Sequence, residues 1–245
     1  MVCRVVKLMT AEVPAFPGLR AVSGTSPAKW LAGRLWPGKS LKVGSLVPDV
    51  YTSYGRLLHP ARSARPDGLD EIRWSAIAAE HGTSMDSGVR FRDLVGWRDG
   101  LAPPFPYSAP LRGSLTEEQN IALAEVLAGF TSLPGKVWYC LRDGYGWPEL
   151  PAYGQGPPRV HLENEDCLLF TGPITASASV QPGWGQSPTL WWPEDRTWCV
   201  STPVDGFSTY VGGSAPCLNA LINDPGLEIL PIQIDQPIDP GSYPA

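Results

Sequence analysis

The spacing of apolar positions divides the chain into an early helical region and a later region of strands. Val50, Tyr54, Leu57 and Leu58 recur at i, i+4, i+7 and i+8, so residues 48–58 read as a short helix closed by Pro60. His59, Arg62 and Arg65 then lie where cations favour a helix C-terminus. Trp74, Ile77, Ala78 and His81 define one face of a second helix over 71–81, with Gly82 as its C′ residue. Thr116-Glu117-Glu118-Gln119 matches a capping box. It opens a helix to about Phe130, with Ile121, Leu123, Val126, Leu127 and Phe130 turned inward.

Beyond that helix the pattern shortens to strands. Residues 136–141 form one, ended by Asp143-Gly144, and 159–162 with 166–170 suggest a hairpin across Glu163-Asn164-Glu165. Residues 189–192 and 197–204 flank the four-residue turn Pro193-Glu194-Asp195-Arg196. Asp205-Gly206 is the pair favoured in a type I′ turn, which brings 207–211 back alongside. Ser214 caps a helix that holds Pro216 in its first turn and ends near Ile222, before a last strand over 227–232. The expected fold is therefore α+β, an antiparallel β-meander with helices packed on one face.

Composition sharpens this picture. With 27 prolines and 26 glycines among 245 residues the chain is rich in loops, while ten tryptophans argue against global disorder. Residues 1–38 show no clear period and read as a loose N-terminal extension, 39–235 as a single domain, and 236–245 as a flexible tail. The proline-rich stretch 99–114 is a candidate lobe boundary, because charge changes sign there. Residues 1–98 carry 14 Lys/Arg against 8 Asp/Glu, and the remainder 5 against 16, or −11. A basic cluster from Arg34 to Arg65 raises nucleic-acid binding, but the acidic whole and the lack of interleaved aromatics disfavour it.

No run reaches the roughly 18 apolar residues of a membrane helix, and Lys7 interrupts any signal-peptide core, so no membrane association is expected. Five widely spaced cysteines without a C-x-x-C pair describe neither a disulfide framework nor a zinc site. They point to a reducing, cytoplasmic setting.

Candidate chemistry is sparse. Gly33–Ser40 fits G-x-x-x-x-G-K-[ST], the phosphate-binding loop expression. Its flanks lack the strand-to-helix setting, however, and Pro37 removes a backbone donor. His59, His81 and His161 have no metal spacing, and Ser214 lacks the G-x-S-x-G elbow. Neither a metal nor a cofactor is expected.

The densest feature is the run from Leu190 to Val200, which holds Trp191, Trp192, Glu194, Asp195 and Arg196. In a hairpin the two tryptophans face opposite sides of the sheet. Three readings compete: a core hairpin whose turn charges pair locally, a binding patch, and a carboxylate pair doing acid–base work with Asp205 or Asp143 nearby. Asp143-Gly144-Tyr145-Gly146-Trp147 adds a second polar–aromatic loop. The candidate binding residues are Asp143, Tyr145, Trp191, Trp192, Glu194, Asp195, Arg196, Asp205 and Tyr210.

The strings Leu57-Leu58-His59-Pro60-Ala61-Arg62, Trp191-Trp192-Pro193-Glu194-Asp195-Arg196-Thr197-Trp198-Cys199-Val200 and Thr209-Tyr210-Val211-Gly212-Gly213-Ser214 resemble a family of uncharacterised proteins from high-GC Gram-positive bacteria. The similarity covers roughly residues 40–232 and implies no activity. A more distant similarity is to SMI1/KNR4-type immunity proteins, although Leu46-Val47-Pro48-Asp49-Val50-Tyr51 departs from their Leu-Pro-x-x-Tyr spacing. The leading expectation is a non-enzymatic, immunity-like protein that binds a basic macromolecular partner, another protein, through an acidic Trp-rich surface. The alternative is a small hydrolase or transferase using Asp143, Glu194, Asp195 or Asp205.

Overall fold

A computed structural model describes residues 16–63, 70–98, 106–144, 146–147, 150–154, 156–163, 165–180 and 186–238. In chain order the elements are β1 (Arg20–Ala21), β2 (Ser53–Leu58), β3 (Ala61–Ser63), β4 (Glu71–Ile72), α1 (Trp74–His81), α2 (Phe91–Leu94) and β5 (Tyr107–Ser108). There follow α3 (Glu117–Ala128), β6 (Val137–Arg142), β7 (Arg159–His161), β8 (Asp166–Gly172), β9 (Leu190–Pro193), β10 (Cys199–Ser201), β11 (Ser208–Gly213), α4 (Ala215–Ile222) and β12 (Ile229–Ile232). The fold is mixed α+β, built on a large antiparallel sheet of order β1-β8-β6-β9-β10-β11-β2-β12 with β7 beside β8. A small sheet, β4-β3-β5, stands beside it.

Alternation along the strands divides the core. Val137, Tyr139 and Leu141 of β6 face one cluster with α3 and α4, while Trp138 and Cys140 face another. Trp191 and Trp192 split the same way, as strand geometry requires. The second face is not left to solvent. Ala28, Trp30, Leu31, Leu35, Val43 and Val47 cover it, mostly from short 3-10 segments. A third cluster under α1 and α2 holds Leu58, Trp74, Ile77, Phe91 and Phe207.

Several expectations need correction. Residues 48–58 do not form a helix, and Ser53–Leu58 is strand β2 between β11 and β12. Tyr54, Leu57 and Leu58 each enter a different cluster, so burial on both faces erased the alternation that marks a strand. His59 is not at a helix end but fully buried, and Arg65 lies outside the described residues. The N-terminal extension is not loose from Phe16 onward, since Phe16 and Leu19 enter the core and β1 pairs with β8. The tail through Ile238 is also tied down, by an Ile238 N–H to Leu41 carbonyl bond of 2.9 Å. No lobe boundary separates the halves around 106–114, because β5 pairs with β3 and β2 is inserted among C-terminal strands. Residues 99–105 lie outside the described residues.

Other features agree with the pattern. Thr116 and Gln119 close the capping box, and Ser214 Oγ accepts from the Cys217 N–H at 3.3 Å. Gly82 has φ 64°, as a C′ glycine requires. The β10–β11 connection is different from the expected type I′ turn: neither Asp205 nor Gly206 has positive φ, and the Gly206 N–H bonds the Pro203 carbonyl at 3.0 Å. Gly212 is required by close approach, since a Cβ there would lie 2.5 Å from the Tyr51 ring. Residues 38–40 of the phosphate-loop expression form one 3-10 turn, with no α-helix behind it to receive an anion.

Candidate functional site

The aromatic members of the expected binding patch are core. Trp191 stacks on Tyr139 with ring centroids 5.9 Å apart, and meets Trp198 edge-on at 5.1 Å. Trp192 packs against Trp30 on the other face at 5.9 Å, and Tyr210 is buried in the same cluster. With exposures of 1% or less, Trp191, Trp192 and Tyr210 present no surface to a partner.

The turn charges pair locally. Glu194 accepts from Lys136 Nζ at 2.8 Å and from Trp138 Nε1 at 2.6 Å. The Lys136 bond is the main cause holding its carboxyl below the ordinary glutamate range. Partial burial by itself would raise Asp195, but the Ser132 N–H and the Thr131, Ser132 and Thr197 hydroxyls outweigh it and hold the carboxyl low. Arg196, with φ 57°, lays its guanidinium over Trp30 at 5.4 Å. Asp143 pairs with Arg159 at the far end of β6 from Glu194. Tyr145 lies outside the described residues. Asp143, Glu194 and Asp195 therefore do not converge.

Asp205 opens onto a cavity with a second carboxylate, that of Glu165. Antiparallel pairing places Arg142, the last residue of β6, opposite Cys167 of β8, so Glu165 just before β8 comes within reach of Arg142. Arg142 Nε lies 3.5 Å from Glu165 Oε2. The Pro203–Gly206 turn brings Asp205 to the same rim. Leu41, Ser45 and Leu46 close the third side, giving a cleft of about 250 Å³. Behind it a void of about 20 Å³ shares Ser45, Leu46, Glu165 and Ser201 and reaches Thr189. That is room for one water-sized group.

Glu165 Oε2 is shielded from solvent and accepts no hydrogen bond. Burial raises the Glu165 carboxyl above its ordinary range; Arg142 opposes that shift, and the Asp205 charge adds to it. A buried acceptor in this condition is costly until a donor arrives. With two carboxylates against one guanidinium, the cleft favours a cation. Neither Glu165 nor Arg142 was among the candidates read from the sequence. The signal available was an acid immediately before one apolar strand and an arginine ending another, but only the register joins them.

The cysteines among the described residues add no second centre. Cys140, Cys167 and Cys199 are buried free thiols pushed up chiefly by burial, and Cys217 is pushed up to about 12 by the same cause. Among the described residues, no group of three or more His, Cys, Asp or Glu could hold a metal ion, and no helix is long and apolar enough to cross a membrane. No protein-family model, curated protein or solved structure matches the chain.

Proposed function

We propose that this is a non-enzymatic binding protein that receives a cationic group of another protein, a lysine ammonium or arginine guanidinium, in the Glu165–Asp205 cleft. The observation that carries the reading is the solvent-shielded Glu165 Oε2, which lacks a hydrogen-bond donor beside a second carboxylate. A cationic donor would supply the missing bond and offset the negative charge of the two carboxylates that line the cleft. The −11 balance of residues 99–245 supports steering of a basic partner toward this half.

The reading keeps the basic macromolecular partner expected from the sequence and moves its seat away from the buried tryptophans. The cysteines among the described residues are buried and unpaired, in keeping with a reducing, cytoplasmic setting. An acidic binder of a basic toxin domain is the immunity-like form of this function. Nucleic acid remains disfavoured, because Arg56, within the basic cluster, is buried and not available as a phosphate contact.

The test is capture of partners from native lysate by tagged protein at low and moderate salt, beside the Glu165→Gln and Asp205→Asn variants. A basic protein retained by the wild type, weakened by salt and lost from both variants supports the reading. A partner held equally by all three proteins contradicts it. The raised Glu165 carboxyl favours a second reading, acid–base catalysis by Glu165 with Asp205. That reading predicts that Glu165→Gln abolishes a reaction while ligand binding persists.

A further inference from the structure

A second cavity lies on the α3 side of the large sheet, away from the cleft. It runs between α3 and the 3-10 turn Ile174–Val180, has a volume of about 180 Å³, and is lined by Ile121, Ala124, Ala128 and Ile174. Four polar residues also line it: Asn120 and Ser177, with exposures of 1% and 0%, and the solvent-exposed Glu125 and Thr175. Asn120 Nδ2 donates to the Ser177 carbonyl at 3.2 Å. That bond fixes the amide, because turning it over would set Oδ1 against the same carbonyl oxygen. Asn120 Oδ1 and Ser177 Oγ are both solvent-shielded and without a hydrogen-bond partner.

The helix pattern is inverted at this place. Ile121, expected to face the core, is 44% exposed, while its neighbour Asn120 takes the buried position. Departures from local patterning concentrate at functional sites. Here the departure leaves an apolar wall with one fixed, buried acceptor and one buried hydroxyl waiting for a partner.

We propose that this groove binds a small neutral molecule whose apolar body is about the size of a six-membered ring and which carries one hydroxyl. An apolar cavity of roughly 150 Å³ admits benzene, so the volume suits such a body. A hydroxyl donates to Asn120 Oδ1 and accepts from Ser177 Oγ–H, satisfying both atoms at once. A carboxylate would face the Asn120 oxygen and be repelled. An ammonium would have to shed its hydration against an aliphatic wall, and the one carboxylate in the lining, Glu125, is solvent-exposed and already hydrated.

The experiment titrates phenol, toluene, benzylamine and benzoate into the full chain, following the Asn120 side-chain amide by NMR. Phenol is expected to bind about tenfold or more tighter than toluene, as one satisfied buried pair implies, with benzylamine and benzoate weaker than phenol. Ser177→Ala should remove most of the difference between phenol and toluene. Ala128→Phe, at the partly exposed rim, should abolish binding of both and stands in where Ser177→Ala perturbs the fold. Equal affinity for phenol and toluene, preference for benzylamine or benzoate, or an unmoved Asn120 amide at saturating phenol would overturn the proposal. So would a crystal structure at saturating phenol holding an ordered water only.

Discussion

At the scale of single residues, two buried titratable groups pull stability in opposite directions with pH. His59 is wholly buried, its Nδ1 2.9 Å from the Leu111 carbonyl oxygen and its Nε2 2.9 Å from Thr209 Oγ1. Burial lowers its pKa to about 4 from 6.5, outweighing the Leu111 bond. Unfolding therefore takes up a proton between these values, and stability falls as pH drops from about 6.5 toward 4, by about 3 kcal/mol in all. Urea unfolding across this range should show the slope, and a folded His59→Gln variant should flatten it. Glu165 acts in the other sense. Its raised carboxyl favours the folded state below the ordinary glutamate pKa, and that contribution is lost as pH rises through the folded-state value. Glu165→Gln should consequently raise Tm near neutral pH, by roughly 2–4 °C if about 1 kcal/mol is recovered, while weakening the cationic partner. A thermal melt beside the capture assay checks whether the two effects run in opposite directions.

At the scale of elements, local ties decide which connections hold. Asp195 joins the β9–β10 turn to Thr131 and Ser132 beyond α3, with four donors within 3.0 Å. Asp195→Ala should cost about 2 kcal/mol, read by urea unfolding, because it strands those donors together. Glu228 plays a similar part for α1, accepting from the Trp74 and Ser75 N–H groups at 2.8 and 2.7 Å. The α3 capping box, the β7–β8 and β9–β10 hairpins and the Ser214 cap were legible because their signals lie within a few residues. Strand β2 was not, because Tyr54 and Leu57 enter clusters on opposite faces of the sheet and leave only a spacing that imitates a helix. Glu165 was not legible either. Its burial is set by residues 41–46 and 203–206, far from it in sequence.

At the scale of the whole molecule, the N-terminal segment turns a sheet with one open face into one covered on both. Trp30 against Trp192 anchors that cover, with Arg196 laid over the Trp30 ring. Trp30→Ala should cost about 3 kcal/mol in urea unfolding. A stability indistinguishable from wild type would restore the view of a loose extension. The same cover walls the cleft through Leu41, Ser45 and Leu46, so the N-terminal half completes a site whose acids come from the C-terminal half. Charge asymmetry along the sequence thus becomes a local arrangement, with two acids and one guanidinium lining the cleft.

The most direct test is a ¹³C titration of the Glu165 carboxyl, alone and with a short lysine-containing peptide at low salt. The account predicts a pKa above the ordinary glutamate value in the free protein, pulled down when the peptide's ammonium supplies the missing donor. An ordinary value in the free protein, or a raised one that the peptide leaves unmoved, would contradict it.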